Sequence, residues 1–196
     1  MITGQPVRAA SSAGALTVPA SRPKKGTRAP LVIAYHGGGG NPQSMMRLSG
    51  LNDKADEAGF ILAYPHGSGR DRNRGLSFNG GNCCGYAKFN NVDDIGYTRA
   101  LLDDLGTVAD IDPARVYATG FSNGAIMAHR VAAELSDRIA AIATVGGPLM
   151  LDDLSPENPV SILHIHGTSD PFAPYDGGRG NGTERMPAAL RPVFTS

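Results

Sequence analysis

Short apolar runs alternate with polar, helix-forming stretches along most of this chain. Leu31-Val32-Ile33-Ala34-Tyr35 and Phe60-Ile61-Leu62-Ala63-Tyr64 are unbroken apolar runs of strand length, as expected of strands covered on both faces. Arg115-Val116-Tyr117-Ala118-Thr119, the stretch from Ile139 to Val145 and Ser161-Ile162-Leu163-His164-Ile165-His166 predict three further strands, and Ala15-Leu16-Thr17-Val18 a shorter one. Helix signals fill the intervals. One helix is predicted from Ser44 to Ala58, stopped by Gly59. A second runs from Asp93 to Ala109, with Asn91 as N-cap and Asp93-Asp94 placing negative charge on the first turn. A third runs from Ala125 to Leu135, rich in good helix formers. Strand and helix in turn predict an α/β fold with a doubly wound, mainly parallel sheet, residues 1–29 being a loose lead-in and residues 30–196 a single domain. Residues 66–91 form a polar loop rich in Gly and Asn, and a connection of that length in a compact domain is usually functional. Residues 146–160 and 171–196 read as loops rich in Pro and Gly.

Composition narrows the function. At 196 residues with 41% hydrophobic content, the chain suffices for one sizeable core. Eighteen basic and eighteen acidic residues balance, so no basic patch points to nucleic acid and no basic amphipathic helix to a membrane surface. No apolar run approaches the roughly 18 residues needed to span a bilayer. The first residues, Met1-Ile2-Thr3-Gly4-Gln5-Pro6-Val7-Arg8, hold no apolar core of signal-peptide length. A neutral surface suits a neutral or polymeric substrate.

The chemistry concentrates where strands end. Gly120-Phe121-Ser122-Asn123-Gly124 joins a predicted strand to a predicted helix. A G-x-S-x-G in that context is a nucleophile elbow: the serine sits at the apex of a strained turn, and flanking glycines admit neighbouring chain. Ser122 is thus the candidate nucleophile for acyl transfer, and the backbone N–H of Asn123 a candidate oxyanion donor. His36-Gly37-Gly38-Gly39-Gly40 follows the first strong strand and offers the second donor, from Gly38 or Gly39. Each such donor contributes about 3–4 kcal/mol of transition-state stabilisation. Asp170, after His166-Gly167-Thr168-Ser169, is the candidate acid, since elbow hydrolases order their triad Ser…Asp…His. The base is the gap in this pattern. The five histidines are His36, His66, His129, His164 and His166, and none follows Asp170. His36 opens the oxyanion turn and is read as structural. His129 lies seven residues into the elbow helix, about 10 Å along its axis from Ser122, and is read as a packing residue. His164 and His166 alternate on one strand face and are read as core histidines. His66 stays open as a base. No metal-ligand cluster and no organic cofactor are implied.

These motifs resemble the extracellular polyhydroxybutyrate depolymerases and the related feruloyl and acetyl-xylan esterases of the α/β-hydrolase superfamily. The resemblance is carried by Tyr35-His36-Gly37-Gly38-Gly39-Gly40-Asn41, Asn82-Cys83-Cys84-Gly85-Tyr86-Ala87, Val92-Asp93-Asp94-Ile95-Gly96-Tyr97, Ala118-Thr119-Gly120-Phe121-Ser122-Asn123-Gly124 and His164-Ile165-His166-Gly167-Thr168-Ser169-Asp170, continued by Pro174-Tyr175-Asp176-Gly177-Gly178. It implies Ser122 as nucleophile, Asp170 as triad acid, a secreted protein, and a carboxylic ester, small or polymeric, as the substrate; nucleic acid and membrane are not expected partners, and a homo-oligomer stays open. Members continue into a last strand and a loop bearing the catalytic histidine. This chain ends at Ser196, so the expectation is a sheet lacking that strand and loop, and a truncated homologue that is either an esterase or a binding remnant without turnover. Phe78 stands where members commonly carry Trp. A substrate pocket is expected from His36, Phe78, Cys83, Cys84 and Phe121. The two cysteines are adjacent, and closing them on each other needs a strained eight-membered ring, so at least one free thiol is expected, with a packing role for the pair.

Overall fold

The computed structural model describes residues 15–17, 27–72, 74–152, 156–181 and 185–186. A six-stranded sheet runs in the order β1-β3-β2-β4-β5-β6, formed by β1 (Ala15–Thr17), β2 (Ala29–Tyr35), β3 (Ile61–Tyr64), β4 (Ile111–Phe121), β5 (Ala141–Val145) and β6 (Ser161–Ile165). The five strands from β3 to β6 are mutually parallel, and β1 adds an antiparallel edge. A two-stranded ribbon of β7 (Gly178–Arg179) and β8 (Arg185–Met186) lies apart from the sheet. The short strand expected from Ala15-Leu16-Thr17-Val18 in the lead-in is β1, with Ala15 pairing with Tyr64. The rest of that lead-in, up to Thr27, lies outside the described residues.

The unbroken apolar runs are explained by what covers the sheet. Leu31, Ile33 and Tyr35 of β2 and Ile61 and Ala63 of β3 pack into a core with α4 (Asp94–Val108) and α5 (Asn123–Glu134). The intervening residues, Val32 and Ala34 of β2 and Leu62 and Tyr64 of β3, pack on the opposite face with Met45 of α1 (Pro42–Ser49) and Ala55 of α2 (Leu51–Ala58). Alternate side chains point to opposite faces, so a strand with helices on both sides must be apolar throughout.

Element boundaries depart from the sequence reading in instructive places. The helix expected over residues 44–58 is two helices, because Gly50 takes a left-handed conformation at φ 61° and ends α1 while opening α2. The N-cap of α4 is Asp93 rather than Asn91: the Asp93 carboxylate accepts the Gly96 N–H at 2.8 Å. The long loop of residues 66–91 is not structureless. It contains a short helix, α3 (Gly85–Phe89), and a bridge between Ser68 and Ser77.

Sheet topology sets the place of chemistry. From β2 the chain moves outward to β3, then crosses back to β4 on the other side of β2. The carboxyl ends of β2 and β4 therefore flank a topological switch point, the crevice where open α/β sheets bind ligands. The glycine turn after Tyr35 and the elbow after Phe121 both open there, and Tyr35 is in register with Gly120.

Candidate active site

Ser122 lies between the end of β4 and the first turn of α5, at φ 54° and ψ −120°. A non-glycine residue in this region is strained, and strain of this kind persists only where the surroundings over-determine it. Here the Ser122 N–H donates to Val145 O at 2.9 Å, and its carbonyl accepts the Ile126 N–H at 3.1 Å, beginning α5. The turn is tight enough that both flanking positions must lack a side chain. A Cβ at Gly120 would collide with the Gly124 carbonyl, and one at Gly124 with the Tyr35 carbonyl of β2.

Among the glycines after β2, the hydrogen bonds separate the two candidate donors. Gly39 N–H is taken by Leu76 O at 2.8 Å, and Gly40 N–H by Gly37 O at 3.0 Å. The Gly38 N–H makes no hydrogen bond among the described residues, and a Cβ at Gly38 would lie 3.6 Å from Asn123 Cβ. Gly38 and the start of α5 thus face each other. The positive end of the α5 dipole adds to the attraction for negative charge there. The Asn123 side chain is occupied elsewhere: its Oδ1 accepts Phe78 N–H at 2.8 Å and its Nδ2 donates to Phe78 O at 2.9 Å. The residue after the serine thus staples the long loop to the elbow helix.

His36 is held beneath the glycine turn. Its Nε2 accepts Gly67 N–H at 3.1 Å, so Nδ1 carries the proton and donates to Gly37 O at 2.8 Å. Burial keeps its pKa below the ordinary histidine value, so it is a neutral brace. The loop has a second brace. Asp94 accepts Asn79 N–H at 2.7 Å, Asn79 Nδ2 donates to Val92 O at 3.0 Å, and Arg130 of α5 donates to Asn79 O at 2.7 Å. Burial pushes the Asp94 carboxyl up to about 6, against the pull of the Asn79 amide and the Arg130 charge.

Asp170 sits on the opposite rim, across Gly146 from the elbow; a Cβ at Gly146 would lie 3.8 Å from Asp170 Oδ2 and 3.7 Å from the Phe121 ring. Its Oδ1 accepts the N–H groups of Phe172 and Ala173 at 2.8 and 2.9 Å, which leaves Oδ2 facing the site. His166 Nε2 lies 3.6 Å from that oxygen but donates to Ala173 O at 2.7 Å. His66 Nδ1 is 2.9 Å from Gly67 O, and His129 Nε2 is 3.2 Å from Thr144 Oγ1. Among the described residues no histidine hydrogen-bonds to Ser122.

The residues expected to line a pocket separate into two groups. His36, Phe78 and Cys83 are buried in the interior and support the loop from beneath: Phe78 stacks edge-on against Tyr35, with the His36 ring 4.6 Å away, and Cys83 packs with Ile126 and Met150. Phe121 is exposed beside Ser122, and Cys84 is half-buried. The free thiol expected from the sequence is absent, because Cys83 and Cys84 are joined to each other in a disulfide. With only two cysteines in the chain, each has the other as its sole partner. Sequence reasoning also missed the Asp94–Asn79–Arg130 brace, having read Asp94 only as negative charge on the first helical turn.

A comparison with known proteins accords with this geometry. The family described as Phospholipase/Carboxylesterase matches residues 92–181. Acetyl xylan esterase from Aspergillus awamori superposes with a TM-score of 0.58 at 20% identity, over 72% of this chain and 52% of that one. The fold is of the α/β-hydrolase type. At the sequence level this chain is 38% identical over 176 residues to NocK of Nocardia uniformis subsp. tsuyamanensis, a protein named as a putative esterase. It is 32% identical over 155 residues to feruloyl esterase B of Piromyces equi. These alignments cover 85% and 76% of this chain, but only 45% and 28% of the two relatives, so it spans about half or less of their length. No helix among its described residues is long and apolar enough to cross a membrane.

Proposed function

We propose that this chain, with its fold of the α/β-hydrolase type, is a serine-dependent carboxylic ester hydrolase. The observation that carries the proposal is the strained Ser122 turn, opposed by the free Gly38 amide and flanked by the outward-facing Asp170 Oδ2. In this reading Ser122 Oγ attacks the ester carbonyl carbon. The N–H groups of Gly38 and Asn123 receive the negative charge that develops on the carbonyl oxygen. The Oγ proton passes to a base oriented by Asp170 and then to the departing alcohol, as the carbon–oxygen ester bond breaks. Water attacks the acyl-enzyme by the same steps in reverse, which releases the acid and restores Ser122. The sequence relatives named for acetyl-xylan and feruloyl esters support small or plant-polymer-linked esters as substrates. The motif resemblance supports a role outside the cell and extends the substrate range to hydroxyalkanoate polyesters.

The test is hydrolysis of chromogenic acetyl, butyryl and feruloyl esters by the chain and its Ser122→Ala variant. Turnover by the parent that falls roughly 10³-fold or more in the variant is expected. A fluorophosphonate should add covalently to Ser122 and be found there by peptide mass spectrometry. A binding-only protein would bind the ester by calorimetry, give no turnover and resist the fluorophosphonate. Turnover that survives Ser122→Ala would overturn the proposal.

A further inference from the structure

Three imidazoles, His129 buried on α5, His164 half-buried on β6 and His166 just past its end, lie outside the chemistry above. They form one continuous path: His129 Nε2 to Thr144 Oγ1 at 3.2 Å, Thr144 Oγ1 to His164 Nδ1 at 2.8 Å, His164 Nε2 to His166 Nδ1 at 3.1 Å, and His166 Nε2 to Ala173 O at 2.7 Å. The rings of His129, His164 and His166 follow one another at centroid distances of 5.6 and 5.2 Å. The direction of the path follows from its last member. A carbonyl can only accept, so His166 Nε2 carries a proton. With one proton on its ring, at Nε2, His166 has Nδ1 left as acceptor, and the bond to His164 then takes the proton of His164 Nε2. His164 Nδ1 must in turn accept from the Thr144 hydroxyl, whose oxygen accepts from His129 Nε2–H. The end of this logic is a bare Nδ1 on His129, an atom that is buried and makes no hydrogen bond, although the Gly147 backbone lies near enough to favour the protonated ring. Burial holds His129 at about 4 and pushes His164 down as well, in keeping with neutral rings.

The path closes on the candidate acid. Ala173 gives its N–H to Asp170 Oδ1 and its carbonyl receives His166 Nε2–H, so His166 secures the turn that aims Asp170 Oδ2 at the site. His166 is 1% exposed at the side chain and faces Asp170, His164 and, at 6.1 Å between ring centroids, Tyr175. We propose that His166 is the positioning residue for Asp170, held in its Nε2–H tautomer by a one-directional relay that runs through His164, Thr144 and His129 back to the helix carrying the nucleophile. The positioning role rests on the esterase reading; the relay itself does not.

Two measurements test it. Nitrogen-15 spectra of the histidines at neutral pH should show Nε2 protonated and Nδ1 bare in all three rings. A proton on His129 Nδ1, or a doubly protonated His166, would overturn the relay. His166→Phe keeps the ring volume and removes both nitrogens, whereas His166→Gln returns a donor toward Ala173 O. In the folded Phe variant the Phe172 and Ala173 amides should exchange with solvent at least tenfold faster. Its kcat should fall roughly 10²-fold, with KM changed little, and Gln should recover part of both effects. Unchanged amide exchange in His166→Phe would overturn the positioning role whether or not the parent hydrolyses esters. An inactive parent with slow exchange restored by Gln would leave the relay standing and count against the esterase reading.

Discussion

A methyl group at position 124 would land on the carbonyl of Tyr35, where α5 passes closest to β2. The backbone there cannot yield without moving the elbow, so Gly124→Ala is expected to cost roughly 2 kcal/mol or more in chemical unfolding. An unfolding midpoint equal to that of the parent would show that the helix can shift away freely. This requirement was legible from the sequence, because a glycine two positions after the serine is what a tight strand–turn–helix needs. The choice between Gly38 and Gly39 was not legible. It depends on Leu76, which reaches Gly39 from the loop 37 residues later and takes its amide. Nor was the vicinal disulfide legible from a strain argument about the isolated pair.

At the scale of elements, α4 begins at the only residue of the Asn91–Asp94 stretch whose side chain reaches a helical amide among the described residues. Asp93 caps Gly96 N–H, and Asp93→Ala is expected to cost about 1 kcal/mol of stability. Circular dichroism during thermal unfolding would register this, and Asn91→Ala should leave the midpoint nearly unchanged. Local chemistry made both residues plausible caps; which of them caps depends on the chain's path. Asn91 is held at φ 46° as the chain leaves α3, while Val92 N–H bonds back to Ala87 O. The split of the residue 44–58 helix at Gly50 has the same character, since a glycine in a helical pattern is tolerated unless the surroundings call for a bend.

For the whole molecule, Asp94 links stability to pH. In the native state its carboxyl keeps a proton up to about pH 6, whereas in the unfolded chain it releases one near its ordinary value of 3.8. Between those values the unfolded chain binds fewer protons, so this group makes the fold less stable as pH rises from 4 to 6. Asp94→Asn keeps an acceptor for the Asn79 amide and removes the titration. Comparing unfolding free energies at pH 4 and pH 7, the variant should gain on the parent by about 1–3 kcal/mol over that interval. A parent and variant with parallel pH profiles would rule out the buried carboxyl as the cause.

The order of the sheet strands and of the longer helices along the chain, the two-sided covering of the sheet and the placing of Ser122, the glycine turn and Asp170 after strands follow from the sequence alone, whereas α3, the β7–β8 ribbon and the break at Gly50 do not. They depend on local signals: apolar runs of strand length, helix formers between them, and glycines where the chain must turn. What only the tertiary structure decided is which groups meet. The Asn123–Phe78 staple joins residues 45 apart, the Asp94–Asn79–Arg130 brace spans three elements, and the histidine path crosses from α5 through β5 to β6. Each of these contacts pairs polar groups that are distant along the chain and buried together. Burial forces every such group to find a partner, but the fold alone determines which partner is within reach.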